Sequence, residues 1–149
     1  MVKREIPLRD RALAMLARRE HTRAEMTRKL SPHCEFPQQI EQLLDALAAR
    51  GWLSETRFAE SRANVLGRKF GSRKIEHDLR SRGVSAEVVE QAVERALAQE
   101  LDNCRAAWDR KFGALPQNAA ERGRQMRFLA GRGFSAEAVR RVLKAGDAD

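Results

Sequence analysis

The sequence predicts an all-α fold of stacked helical repeats, and three observations carry that prediction. The composition favours helix: Leu, Ala, Arg and Glu dominate, aromatic residues make up only 5% of the chain, and Tyr is absent. An eleven-residue block at 79–89 recurs without gaps at 129–139. Apolar residues recur at helical spacing along most of the chain and never in strand-like alternation.

The repeated block states its own geometry. Leu79, Arg82, Gly83, Ser85, Ala86, Glu87 and Val89 are matched by Leu129, Arg132, Gly133, Ser135, Ala136, Glu137 and Val139. Gly83 and Gly133 stand where a helix ends in a left-handed residue. Arg82 and Arg132 lie in the preceding last turn, near the negative end of the helix. Ser85 and Ser135 are placed to cap the next helix, and Glu87 and Glu137 sit in its first turn. Val84 and Phe134 precede the caps and can staple onto Val89 and Val139. The unit is helix, tight turn, helix. Gly51, Leu53 and Ser54 form a weaker copy, with Leu53 set to staple onto Phe58 and the turn joining two repeats. A second echo pairs Arg68-Lys69-Phe70-Gly71 with Arg110-Lys111-Phe112-Gly113 at a different shift, which places an insertion near 114–120.

Periodicity supplies the helices. Leu8, Ala12 and Leu16 mark the first, and Met26 and Leu30 a short second. Ile40, Leu43, Leu44 and Leu47 mark a third, opened near Pro37. Phe58, Val65 and Leu66 mark a fourth, and Ile75 and Leu79 a fifth. Val88, Val89, Ala92, Val93, Ala96 and Leu97 mark a sixth; Leu101, Cys104, Ala107 and Trp108 a seventh. Met126 and Leu129, then Val139, Val142 and Leu143, mark the last two. Nine helices in three sets of three predict three-helix repeats over 1–53, 54–99 and 100–149, stacked into a solenoid because helices this short need each other's apolar faces. The radius of gyration should then exceed the ~15 Å of a compact domain of this length.

Charge follows the repeats. The chain carries 29 Lys and Arg against 21 Asp and Glu, a net +8, with a pI near 10.5. Residues 1–33 are net +5, 34–56 net −3, 57–83 net +5, 84–103 net −4 and 104–144 net +7. The first two helices of each repeat are basic. The third is acidic in the first two repeats and basic in the last, through Arg140, Arg141 and Lys144. Stacking in register would turn this alternation into a basic side and an acidic side, and an elongated basic face suits an elongated polyanionic partner. A solvated helix face is the competing explanation for any single charge.

Other classes find no support. His21, His33 and His77 share no ligand spacing with Cys34 or Cys104, so no metal or cofactor is expected and each His is expected at a surface or cap. The two cysteines read as reduced, structural thiols of a cytoplasmic protein. Residues 67–74 fall short of a phosphate loop, no nucleophile elbow occurs, and no enzyme is predicted. There is no signal-like or membrane-spanning run. Trp52 and Trp108 lie in apolar patterns, so core or inter-repeat packing is favoured over base stacking. A base-reading helix-turn-helix is disfavoured because 84–97 is acidic and apolar where a recognition helix needs Gln, Asn or Arg.

Three segments together resemble the RecX family of recombinase regulators: Ala14-Met15-Leu16-Ala17-Arg18-Arg19-Glu20-His21-Thr22-Arg23-Ala24-Glu25-Met26-Thr27-Arg28-Lys29-Leu30, Gly51-Trp52-Leu53-Ser54-Glu55-Thr56-Arg57-Phe58-Ala59, and Arg127-Phe128-Leu129-Ala130-Gly131-Arg132-Gly133-Phe134-Ser135. The likeness spans nearly the whole chain, and its specificity lies in the combination and order. Ser54-Glu55 stands where the family usually has an acidic pair, and Thr22 where Ser is common; both keep the capping chemistry. The resemblance implies three tandem three-helix repeats in an elongated, bent solenoid. It also implies a regulator that binds the RecA filament on single-stranded DNA and mainly inhibits RecA ATP hydrolysis and strand exchange, in recombination, repair and the SOS response.

The residues expected to make those contacts are the basic ones on the first two helices of each repeat: Arg18, Arg19, Arg23, Lys29, Arg68, Lys69, Arg73, Lys74, Arg110, Lys111, Arg124 and Arg127. Their roles would be phosphate contacts, pairing with acidic RecA residues, or both. Double-stranded DNA is a further candidate ligand. The alternative function is a sequence-tolerant DNA-binding module with no recombinase partner. No heptad seam is present, so a monomer is expected.

Overall fold

A computed structural model describes residues 5–144. Eight α-helices follow one another: α1 (Leu8–Arg18), α2 (Arg23–Leu30), α3 (Pro37–Ala49), α4 (Glu55–Gly67), α5 (Ser72–Ser81), α6 (Ala86–Lys111), α7 (Ala119–Gly131) and α8 (Ala136–Lys144), with a 3-10 turn at Ser31–His33. Among the described residues there is no strand. Helices pack in threes: α1–α2–α3, then α4–α5 with the first half of α6, then the second half of α6 with α7–α8.

Each triplet has its own core. Met26, Leu30, Ile40, Leu44 and Leu47 centre the first. Phe58, Ile75, Leu79, Val84 and Val89 centre the second. Leu129, Phe134, Val139, Val142 and Leu143, closed by Cys104 and Ala107 of α6, centre the third. Helix α3 shows how the sequence builds these units. Pro37 at its first position presets φ. Ile40, Leu44 and Leu47 fall on one face and are fully buried, each contributing about 1.5–3 kcal/mol of transfer free energy.

The turn chemistry largely follows expectation. After Gly51, Gly83 and Gly133, at φ 76°, 78° and 88°, the same bond closes each helix. The N–H of the next residue donates to the carbonyl five residues back: Trp52 to Leu47, Val84 to Leu79 and Phe134 to Leu129. Thr22, Ser54, Asn118 and Ser135 accept from backbone N–H groups three residues on. Ser85 departs from expectation. Its hydroxyl makes no capping bond, and its N–H instead donates to the Glu55 carboxylate at 3.1 Å. Leu53 does not staple onto Phe58 either: Leu53 joins the first core and Phe58 the second.

The main correction concerns helices six and seven, which are one helix. Residues 96–104 contain no Gly and no Pro, and six of the nine are strong helix formers, which carry Asp102, Asn103 and Cys104 along. Helix α6 therefore runs unbroken for 26 residues, about 39 Å, and serves two cores in succession. It ends at Gly113, at φ 69°, and the predicted insertion is the irregular segment before Asn118.

The two junctions between triplets differ. Between the second and third, α6 is continuous and the backbones touch. The Gly71 N–H donates to the Arg132 carbonyl at 2.9 Å and the Arg73 N–H to the Gly133 carbonyl at 3.3 Å. Between the first and second, contacts are polar. Arg82 provides the link: its guanidinium reaches Asp78 of its own triplet at 3.1 Å, which Arg62 also holds with two bonds of 2.9 and 3.0 Å, and its carbonyl accepts from the Thr22 hydroxyl of the first triplet at 3.4 Å. The buried Glu25 pairs with Arg19 at 2.8 Å and faces Arg82 at 3.9 Å. Arg57 meets Glu20 at 2.8 Å. Beside this network an open groove of about 810 Å³ separates the triplets.

That chemistry gives the fold a pH signature. His21 is buried, against the expectation of a surface or cap position, and its Nδ1–H donates to the Arg19 carbonyl at 2.9 Å. Burial lowers its pKa below the ordinary value. The unfolded chain therefore binds the proton more readily, so the stability His21 contributes is complete above about pH 6.5 and falls as pH drops below it. The hydrogen bonds from Arg62, with Arg82 beside them, lower the Asp78 pKa. Its contribution is present above about pH 3.9 and is lost as pH falls through the folded value. Urea unfolding should show a lower midpoint at pH 5.5 than at pH 7.5, and His21→Asn should shrink that difference. An undiminished difference in the variant would place the acid sensitivity elsewhere.

Candidate nucleic-acid and partner interface

The twelve predicted contact residues divide sharply by what they touch. Arg19 and Arg23 are engaged by groups of their own triplet. Arg19 pairs with Glu25. Arg23 pairs with Asp45 at 2.7 Å and donates to the Glu41 carbonyl at 3.1 Å. Both spend their charge on the first triplet. Arg18 and Lys29 are exposed on that triplet, at the ends of α1 and α2. The ion pairs among the described residues use Arg19, Arg23, Arg57, Arg62, Arg80, Arg82 and Arg95, and none involves Arg68, Lys69, Arg73, Lys74, Arg110, Lys111, Arg124 or Arg127.

Five of these eight converge at the second junction. Arg68 and Lys69 follow α4, Lys74 is in the first turn of α5, and Arg110 and Lys111 end α6. The Arg110 guanidinium donates to the Arg68 carbonyl. Lys74 Nζ lies 5.0 Å from the centre of the Phe70 ring, and Lys111 Nζ 5.4 Å from that of Phe128. Lys69, Arg110 and Lys111 line a shallow groove of about 200 Å³ with Ala107, Phe128 and Arg132. Arg73 contributes its backbone to the junction and keeps its side chain exposed. Arg124 and Arg127 are exposed on α7: Arg124 borders the irregular segment after α6, and Arg127 lies against Gly123 one turn away.

Arg132 belongs to this cluster and was missing from the sequence-predicted set. Its guanidinium stands 5.3 Å from the centre of the Phe70 ring and 5.0 Å from that of Phe128, bridging the two. Phe112 braces Phe128 edge-on at 5.4 Å. Two signals were present: the echoed Arg-Lys-Phe-Gly segments, and Arg132 inside the repeated block. The sequence assigned Arg132 to its own helix end, and only the Gly71–Gly133 contact carries it over to Phe70.

The tryptophans separate. Trp108 packs on the third core and its Nε1–H donates to Gln125 at 2.8 Å, as expected of a packing residue. Trp52 does not pack: it is 43% exposed, flanked by Arg50 and Arg9 at 5.3 and 5.7 Å from its ring centre. The turn after Gly51 sends Leu53 into the core and leaves Trp52 outside. Cys34 and Cys104 are free thiols, and burial pushes the Cys104 pKa up to about 12. Among the described residues no three His, Cys, Asp or Glu stand together as metal ligands, and no helix is long and apolar enough to cross a membrane.

Comparison with known proteins gives this arrangement a setting. Residues 54–93 match the family model of the second three-helix domain of RecX and residues 98–143 that of the third. The chain is 44% identical over 143 residues to regulatory protein RecX of Leptothrix cholodnii, covering 96% of this chain and 91% of the relative. It is 44% identical over 142 residues to regulatory protein RecX of Chromobacterium violaceum, covering 95% and 91%. The crystal structure of RecX from Lactobacillus salivarius superposes with a TM-score of 0.81 over 95% of this chain and 96% of that one, at 17% identity. Near-full-length identity of this order, together with family matches that tile the second and third triplets, shows that the chain belongs to the RecX family of regulatory proteins.

Proposed function

We propose that the protein binds the RecA filament on single-stranded DNA and lowers RecA ATP hydrolysis and strand exchange, acting as a cytoplasmic monomer built from units 1–53, 54–99 and 100–149. The names of its relatives support a regulatory role. The single structural observation that supports this partner is the gathering of Arg68, Lys69, Lys74, Arg110, Lys111 and Arg132, none of them paired with a carboxylate, at the stiff junction of the second and third triplets. An elongated chain that presents such charge suits a long anionic filament better than a compact ligand. The relatives are named as regulatory proteins, and the reading is of a binding protein and not an enzyme.

The test is RecA ATP hydrolysis on single-stranded DNA with this protein added well below one copy per recombinase. Suppression at such ratios is expected, and it favours blocked filament growth over uniform coating. No suppression at any ratio, with binding to naked DNA intact, would replace this reading with that of a DNA-binding module. Charge reversal at Arg68, Lys69, Arg73 and Lys74 should raise the concentration for half-suppression about tenfold or more. Helicity by circular dichroism should not change, because all four side chains are exposed.

A further inference from the structure

We infer that the junction of the second and third triplets is a phosphodiester-binding site, in which Lys69, Arg110, Lys111 and Arg132 take backbone phosphates of DNA while Phe70 and Phe128 hold the cations in place. The inference rests on the filament reading for its setting and assigns the DNA-facing share of that contact to this groove.

The groove is lined by four cations, one Ala and one Phe, and by no carboxylate. Several arginines elsewhere in the chain are neutralised at short range, as Arg19, Arg23, Arg62 and Arg95 are by Glu25, Asp45, Asp78 and Glu60. Here the neighbours are π faces. The Arg132 guanidinium lies about 5 Å from the centres of two rings, and Lys74 and Lys111 lie against one ring each. Such contacts restrict a cationic side chain without cancelling its charge. Arg110 is tethered through the Arg68 carbonyl. The platform itself is stiff, since α6 passes through the junction and the Gly71 and Gly133 backbones are in contact. Charge that is both uncompensated and held in place is what a site for phosphate oxygens requires.

An acidic protein surface is the other polyanion to weigh, and the composition argues against it here. The buried centres of protein–protein interfaces are depleted of charge, and of Lys in particular, whereas nucleic-acid interfaces are strongly basic. None of the large exposed apolar side chains (Ile6, Phe36, Trp52, Val65, Leu97, Leu115 and Met126) lines the groove. No Asn or Gln lines the groove, and with its Arg and Lys side chains engaged on phosphates rather than base edges, binding through it is tolerant of sequence.

The experiment is a fluorescence-anisotropy titration of labelled oligo(dT), a mixed-sequence single strand and a duplex of equal length, across a salt series and without recombinase. The proteins are the wild type, K69A/R110A/K111A, and the equal-charge control R140A/R141A/K144A, whose three substituted side chains are exposed on α8. The wild type should bind both single strands alike. The groove variant should bind about tenfold or more weakly, and its log–log salt slope on single strands should be shallower by about 2, from three lost contacts at about 0.7 each. The control should keep the wild-type slope to within about one contact. Equal losses in both variants would overturn a local site in favour of net charge. A wild type that suppresses RecA ATP hydrolysis without binding DNA would also overturn the inference, assign the groove to protein, and leave the filament reading intact. DNA binding that maps to the groove without any effect on RecA would sink the filament reading and keep the site. Duplex binding relative to single strand identifies which DNA supplies the phosphates.

Discussion

Gly71→Ala should lower stability by about 2–4 kcal/mol, although the substitution adds one methyl group at a backbone conformation any residue accepts. A Cβ at this position would stand 2.5 Å from the Gly133 carbonyl oxygen and 2.6 Å from the Phe134 Cα. Both are main-chain atoms and cannot rotate away. To make room, the triplets must separate, which stretches the Gly71-to-Arg132 hydrogen bond, worth about 0.5–1.5 kcal/mol net. Overpacking a close contact costs a further 1–3 kcal/mol or so. Gly133→Ala should be similarly damaging for a different reason: at φ 88° a side chain costs about 1–2 kcal/mol, and its Cβ would press on Lys74 at 2.7 and 2.9 Å. Gly131→Ala is the control. Nothing lies within 4 Å of a Cβ there, and a helical Gly replaced by Ala stabilises by about 0.5–1 kcal/mol. Urea unfolding followed by helicity should rank the three with opposite signs for the control and the junction variants. Wild-type stability in Gly71→Ala would mean that the two backbones do not touch in solution.

How far the sequence revealed this structure follows from the range of each interaction. Helix stripes and glycine turns are local, and Gly51, Gly83 and Gly133 could be placed from flanking residues alone. The fusion in α6 was hidden because its apolar face changes partner along the way. Leu97, which continues the stripe in sequence, is 52% exposed, and the stripe resumed at Leu101 serves a different core, so periodicity alone gives two apolar faces where there is one helix. The basic residues were legible as segments but not as a site. Sequence could not show that Glu25 and Asp45 claim Arg19 and Arg23, or that Arg132 crosses to Phe70, because those pairings depend on contacts between helices. Trp52 misled for the opposite reason: its apolar neighbour Leu53 is in the core, and a single turn sends the two side chains apart.

Glu100→Ala should cost about 2–4 kcal/mol and should weaken the DNA-facing groove from a distance. Glu100 is 3% exposed, and its Oε1 accepts from both the Ser72 N–H at 2.9 Å and the Ser72 hydroxyl at 2.8 Å. It thereby caps α5 from another helix, because the residue at the cap position is Gly71, which has no side chain to do so. A carboxylate at a helix N-terminus is also favoured by the peptide dipoles. Hydrogen bonds to a charged acceptor are worth about 1.5–3 kcal/mol each, and their removal leaves buried donors unmatched. The desolvation of Glu100 itself, relieved by the substitution, keeps the net below the sum. Glu100→Gln retains an acceptor oxygen and should lose about 1 kcal/mol; Ser72→Ala, which removes only the hydroxyl, should lose a similar amount. The first turn of α5 carries Lys74 against Phe70, so fraying it loosens one edge of the cation cluster. In Glu100→Ala the affinity for oligo(dT) should therefore fall under conditions where the protein is still folded, although the substitution removes a negative charge and would raise affinity if net charge alone governed binding. A gain in affinity, or a loss no larger than that of Ser72→Ala, would show that the cap and the groove are not coupled.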